Sequence, residues 1–173
     1  AGRARLGRLL ERLPVPTAVV RADGTVESFN AKAAELFGAE AVALPTLDLF
    51  LERVLPDPEE RRTTRSALAR LREAVAGGAP EPPLLMAVRV GGGAEKVVAA
   101  DCVVVDELAV WTATDLTEVL RLQAEGARLG RIVEESIDEV YVFDAATLRF
   151  RSANRSAREN LGYSLDELRG MTP

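Results

Sequence analysis

The chain contains no histidine. That absence removes the commonest general base, the commonest axial haem ligand and the commonest zinc ligand together. Ser-His-Asp and Cys-His catalysis are therefore excluded. Cysteine is almost as scarce: Cys102 is the only one, so no disulfide forms within the chain and a structural zinc site lacks soft ligands. These counts predict a cytoplasmic chain, or the cytoplasmic portion of something larger, without haem or structural metal. No apolar run approaches the roughly 18–20 residues that span a bilayer, and Arg3, Arg5 and Arg8 interrupt the leucines of the N-terminus, so no membrane segment or signal peptide is expected in this fragment. Basic residues are outnumbered 22 to 27, giving a net charge of −5, which argues against a phosphate-tracking surface and a nucleic-acid partner.

What is present is ordinary. The chain has 173 residues, 47% apolar and 28% charged, enough for one globular domain or one domain and part of another. Leu6, Leu9, Leu10 and Leu13 fall at helical spacing before Pro14, which predicts an amphipathic helix over 1–13. Strand patterns at 17–21 and 26–29 flank Asp23-Gly24, the signature of a hairpin. A helix follows over 30–37 and stops at Gly38. Asp57-Pro58-Glu59-Glu60 places a capping carboxylate, a first-turn proline and acidic residues that suit the dipole, predicting a helix over 58–76 with Leu68, Leu71 and Val75 as its buried stripe. Three antiparallel strands are expected at 84–90, 96–105 and 108–114. The intervening Gly91-Gly92-Gly93 lacks the lysine and following helix of a phosphate cradle and reads as a hairpin loop. Asp115-Leu116-Thr117-Glu118 has the spacing of a capping box. Val119, Leu122, Gly126, Leu129 and Val133 then recur at alternating steps of three and four, a short heptad-like seam.

The chain also repeats itself. A shift of 124 places Ser28, Asn30, Ala33, Glu35 and Gly38 over Ser152, Asn154, Ala157, Glu159 and Gly162, five identities in thirteen positions. The order of elements, the hairpin and helix of 10–38, the Asp-Leu-Thr-Glu sequence at 115–118 and the repeated opening at 131–173 together resemble the PAS domain family. The resemblance implies an α+β fold: a five-stranded antiparallel sheet with helices on one face, a small core cavity for a ligand, and flanking signalling helices. It divides the chain into an N-terminal helix (1–13), a PAS domain (14–115), a helical connector (116–134) and the truncated start of a second PAS domain (135–173).

A sensory and dimerisation module upstream of a histidine kinase, diguanylate cyclase or transcriptional output is what that resemblance implies, with a homodimer, a small-molecule ligand and a downstream output domain as partners. The haem-binding members need an axial ligand that is missing, and the flavin photosensors carry their cysteine on a helix, whereas Cys102 falls in a strand. Dicarboxylate-binding members cluster cations at the pocket; Arg89 and Lys96 sit on strands, but alternation alone does not aim them inward. Phe29, Leu36, Met86, Cys102 and Trp111 are the pocket candidates, and the same residues would serve equally as packed core. Cys102 shares its strand face with Val98, Ala100 and Val104, as a small buried hydrophobe would. Leu6, Leu9, Leu13, Val119, Leu122, Leu129 and Val133 are the dimer and signalling-helix candidates, since short apolar helices need a partner. Two alternatives stand beside this: a ligand-free PAS dimerisation spacer, and a small enzyme using Asp101, Asp106 or Asp115.

Overall fold

A computed structural model describes residues 7 and 9–173, and they divide into two compact units at 118/119. Leu6 lies outside the described residues.

In the first unit, β1 (Thr17–Arg21) and β2 (Val26–Phe29) form the expected hairpin, turned at Asp23-Gly24. Gly24 adopts φ 86°, and the Asp23 carboxylate accepts from the Thr25 amide at 2.8 Å, an Asx turn that few residue pairs can make. Helices α1 (Ala31–Phe37), α2 (Ala39–Val42), α3 (Leu47–Val54) and α4 (Pro58–Ala76) follow. Gly38 ends α1 at φ 94° and donates to the Ala34 carbonyl, and Asp57 caps α4 by accepting from the amides of Glu59 and Glu60. Strands β3 (Leu84–Arg89), β4 (Glu95–Val105) and β5 (Leu108–Asp115) complete an antiparallel sheet of order β2-β1-β5-β4-β3, with a 3-10 turn at Gly91–Gly93. The α+β architecture with a five-stranded antiparallel sheet is the one the sequence implied. The core lies between the helices and one sheet face: Phe37, Phe50, Leu51, Val54, Leu55 and Leu68 pack on Val88, Val98, Ala100 and Ala113. On the opposite face Leu85, Val103 and Val105 remain 57, 60 and 56% exposed.

The junction after β5 differs in detail from the expected capping box. The Asp115 carboxylate accepts from the Thr117 amide at 3.0 Å and the Thr117 hydroxyl at 2.6 Å, two residues on instead of three, because the helix α5 (Thr117–Glu135) begins one residue late. The Thr117 hydroxyl oxygen in turn accepts from the Val97 amide, and Lys96 Nζ donates to Asp115 Oδ2 at 2.8 Å. The Lys96 hydrogen bond, then that of Thr117, hold the Asp115 carboxyl at a pKa of about 2. Because that value is below the unfolded one, the stability it contributes is present above about pH 4 and is lost as pH falls towards 2. Both side chains are 34% exposed, so screening confines the contribution to about 1 kcal/mol. Lys96→Met should therefore raise the Asp115 pKa towards 3.8 and shrink this acid-limb loss; carboxyl NMR titration with acid denaturation reads both changes.

In the second unit β6 (Tyr141–Phe143) pairs with β7 (Phe150–Ala153), followed by α6 (Arg155–Leu161) and α7 (Leu165–Leu168). Phe150, Ala153, Ala157 and Leu168 form a small core under Tyr141, while Val142 and Leu161 stay 47 and 39% exposed.

Candidate functional site

The sheet and the helix layer enclose a cavity of about 60 Å³ in the first unit. Its origin is a register pair of small residues. Ala100 on β4 faces Ala113 on β5, and both point into the helix layer where a larger side chain would fill the space. Three phenylalanines roof it: Phe29 and Phe37 each contact Phe50, with ring centroids 5.2 and 5.0 Å apart. Met86 and Trp111 close the sides. Phe29, Met86 and Trp111, proposed from the sequence, are thus brought together around one space. The lining is apolar apart from Thr17 and Thr112, and none of Asp101, Asp106 and Asp115 reaches it.

Two of the proposed pocket residues are placed elsewhere. Leu36 is buried in the core but does not line the cavity, because its neighbours Ala33 and Phe37 present the lining face of α1. Cys102 is 4% exposed and lies two residues beyond Ala100, opposite Trp111 in register, past the end of the cavity. Burial pushes its thiol pKa up, and the Asp101 carboxylate adds to the shift, so the thiolate is scarce and the side chain behaves as a small hydrophobe. The two cations considered for a pocket also point away from it: Arg89 is exposed beside Glu95, and Lys96 is held by Asp115.

Two residues carry more of the structure than their sequence context announces. Asn30 is 4% exposed and makes five hydrogen bonds. Its Oδ1 accepts from the amides of Thr17 and Ala33, both at 2.9 Å, so it caps α1 and pins the start of β1. Its Nδ2 donates to the carbonyls of Val15 (2.8 Å), Leu13 (3.3 Å) and Leu10 (3.4 Å), holding the C-terminal end of the helical segment that runs to residue 11. Asn154 repeats the arrangement in the second unit. It accepts from the amides of Val140 and Ala157 and donates to the carbonyls of Asp138, Ser136 and Val133, the last of these in the final turns of α5. Glu134 adds an ion pair to Arg158 at 2.5 Å, which holds its carboxyl below the usual range.

Residues 10–121 match the PAS fold family. The chain belongs to the PAS family. No curated protein matches the sequence. Among solved structures it is similar to an RNA-binding light-oxygen-voltage receptor, at 18% identity and a TM-score of 0.53; the match covers 75% of this chain and spans only 37% of that receptor. The PAS domain of a protein from Colwellia psychrerythraea matches at 13% identity and TM-score 0.51, covering 68% of this chain and 99% of that one. A light-oxygen-voltage variant, RsLOV d2, matches at 14% and 0.52, covering 75 and 78%. At these identities the likeness is one of fold, and it falls on the PAS sheet and its helices.

The signalling-helix candidates are exposed. Val119, Leu122, Leu129 and Val133 are 51, 55, 57 and 44% accessible, and α5 has no buried residue along its 19. Leu9 is 58% exposed and Leu13 half-buried. Among the described residues no helix is long and apolar enough to cross a membrane.

Proposed function

We propose that this PAS chain is a cytoplasmic sensory and dimerisation module of a larger signalling protein, in which a small ligand in the cavity biases the helix that leaves the sheet. The observation that carries this is the cavity itself, apolar and placed under the β4–β5 pair whose last residue, Asp115, starts α5. A ligand that spreads Ala100 and Ala113 from the phenylalanine roof acts on the two strands that hold the Asp115–Thr117–Val97 network. Its effect on α5 therefore needs no long relay. The output domain, a histidine kinase or another effector, would follow the second unit, which we read as the opening of a second PAS domain because Asn154 repeats the bonding of Asn30. Nothing in this reading requires catalysis, haem, flavin or a metal.

The alternative within the same family is a ligand-free spacer, favoured by the modest size of the cavity. Native mass spectrometry of freshly purified protein, with thermal unfolding across a panel of small apolar compounds, separates the two. A ligand at about 100 times its Kd should add about 2.7 kcal/mol to the stability of the first unit. No retained mass and no shift with any compound would leave the spacer reading.

A further inference from the structure

On the outer side of the cavity wall lies an open cleft of about 360 Å³ between the β1–β2 turn, the start of α3 and the middle of α4. Val20, Leu47, Leu51, Leu68 and Trp111 line both spaces, so one layer of side chains separates them. The cleft carries three arginines. Arg21 is paired with Glu27 at 2.5 Å and Arg65 with Asp48 at 2.8 Å. Asp23, also in the lining, is engaged by the Thr25 amide. Arg72 is half-buried, and among the described residues it has no carboxylate partner; its Nη1 donates to the Ala22 carbonyl at 3.3 Å. The remaining guanidinium donors form a fork suited to a carboxylate.

Building on the ligand-cavity reading above, we infer that the site takes a small monocarboxylate, its tail in the cavity and its carboxylate on Arg72. Size and spacing set the class. An apolar cavity of about 150 Å³ accommodates a six-carbon ring, so about 60 Å³ takes roughly three carbons. Leu68 and Arg72 stand one turn apart on α4, about 6 Å along its axis. A four-carbon acid has that reach. Burying the tail supplies affinity, and the unpaired guanidinium selects the anion over a neutral or cationic molecule with the same tail.

The test titrates the full chain with butyrate, 1-butanol and butylammonium at constant ionic strength, reading the fluorescence of Trp111, the only tryptophan. Saturable butyrate binding is expected at least tenfold tighter than that of 1-butanol, with none for butylammonium. Arg72→Gln should lower butyrate affinity tenfold or more and leave 1-butanol unchanged. Ala100→Leu should abolish both by filling the cavity, and Ala113→Val replaces it if that variant fails to fold. Equal binding of acid and alcohol, or indifference to Arg72→Gln, overturns the carboxylate assignment while the cavity reading stands. Butyrate binding that survives cavity filling reduces the site to a surface anion contact and also overturns the inference. Binding of neither butyrate nor 1-butanol overturns both readings.

Discussion

Asn30→Ala is expected to lower the unfolding free energy of the first unit by about 2–4 kcal/mol, an unusually large effect for removing one polar side chain. The side chain is buried, and its five partners are all backbone groups. Truncation leaves the Thr17 and Ala33 amides without their acceptor and three carbonyls without a donor, and a buried unsatisfied group costs about 1–3 kcal/mol. Some of the carbonyls will recover water, since they are only partly buried, which is why the sum is not the full five. Asn30→Asp separates the two halves of the role: it keeps the acceptor towards Thr17 and Ala33 but sets a carboxylate oxygen against the carbonyls of Val15, Leu13 and Leu10. It should be no more stable than alanine at neutral pH and should recover as acid protonates it, because the neutral acid donates where the carboxylate repels. Urea unfolding followed at Trp111 measures both variants. A loss below about 0.5 kcal/mol for alanine would show that the clamp is replaceable.

The same residue shows where sequence reasoning reaches and where it stops. Helix α4 and the β3–β4–β5 meander were legible because each depends on neighbours in sequence: a capping Asp57, a Pro58, alternating β-branched residues, a glycine loop. Asn30 was legible as the start of a helix for that reason too. Its grip on Leu10, Leu13 and Val15 was not, because those carbonyls come within reach only when the hairpin folds. Helices α2 and α3 received no element from the sequence. The signal for α3 was there, in Thr46 as a cap and in Leu47, Phe50, Leu51 and Val54 at helical spacing, but the short segment between Pro45 and Pro56 left no room for a long periodic pattern. The capping box of Ser164 and Glu167 was likewise present in the sequence and unread.

For the site, alternation gave the correct strand face for Met86, Cys102 and Trp111, but not how far along the strand the cavity would fall. That position is set by the register that pairs Ala100 with Ala113, and register is a property of two strands. Cys102 was therefore displaced by two residues from the space it was expected to line. Arg72 was invisible for a related reason: its carbonyl partner Ala22 is 50 positions away, on a turn that only the folded sheet brings to α4.

The second large effect concerns α5. Leu122→Glu with Leu129→Glu should weaken self-association of the chain by at least a hundredfold while the unfolding of the first unit is unchanged. Val119, Gly126 and Val133 occupy one set of heptad positions and Leu122 and Leu129 the other, an arrangement of β-branched residues and leucines that favours two parallel strands. All four apolar members are at least 44% exposed and meet no cover within their own unit, so their burial requires another surface. A 19-residue helix with no buried residue has little reason to persist in water without one. Paired with a second copy, the two leucines would sit at the centre of the seam, where an unpaired buried carboxylate costs about 3–5 kcal/mol. Gly126 sits between them, contributing no side chain to the seam and lowering the helix propensity at that point. Filling it with Gly126→Ile should tighten the dimer, which makes the glycine the place where a ligand-driven change in crossing angle is easiest. Sedimentation measures association and Trp111 fluorescence the fold of the first unit. If the double variant remains dimeric, the contact lies elsewhere, with the open sheet face of Leu85, Val103 and Val105 next in line, and α5 does not carry the signal between paired protomers.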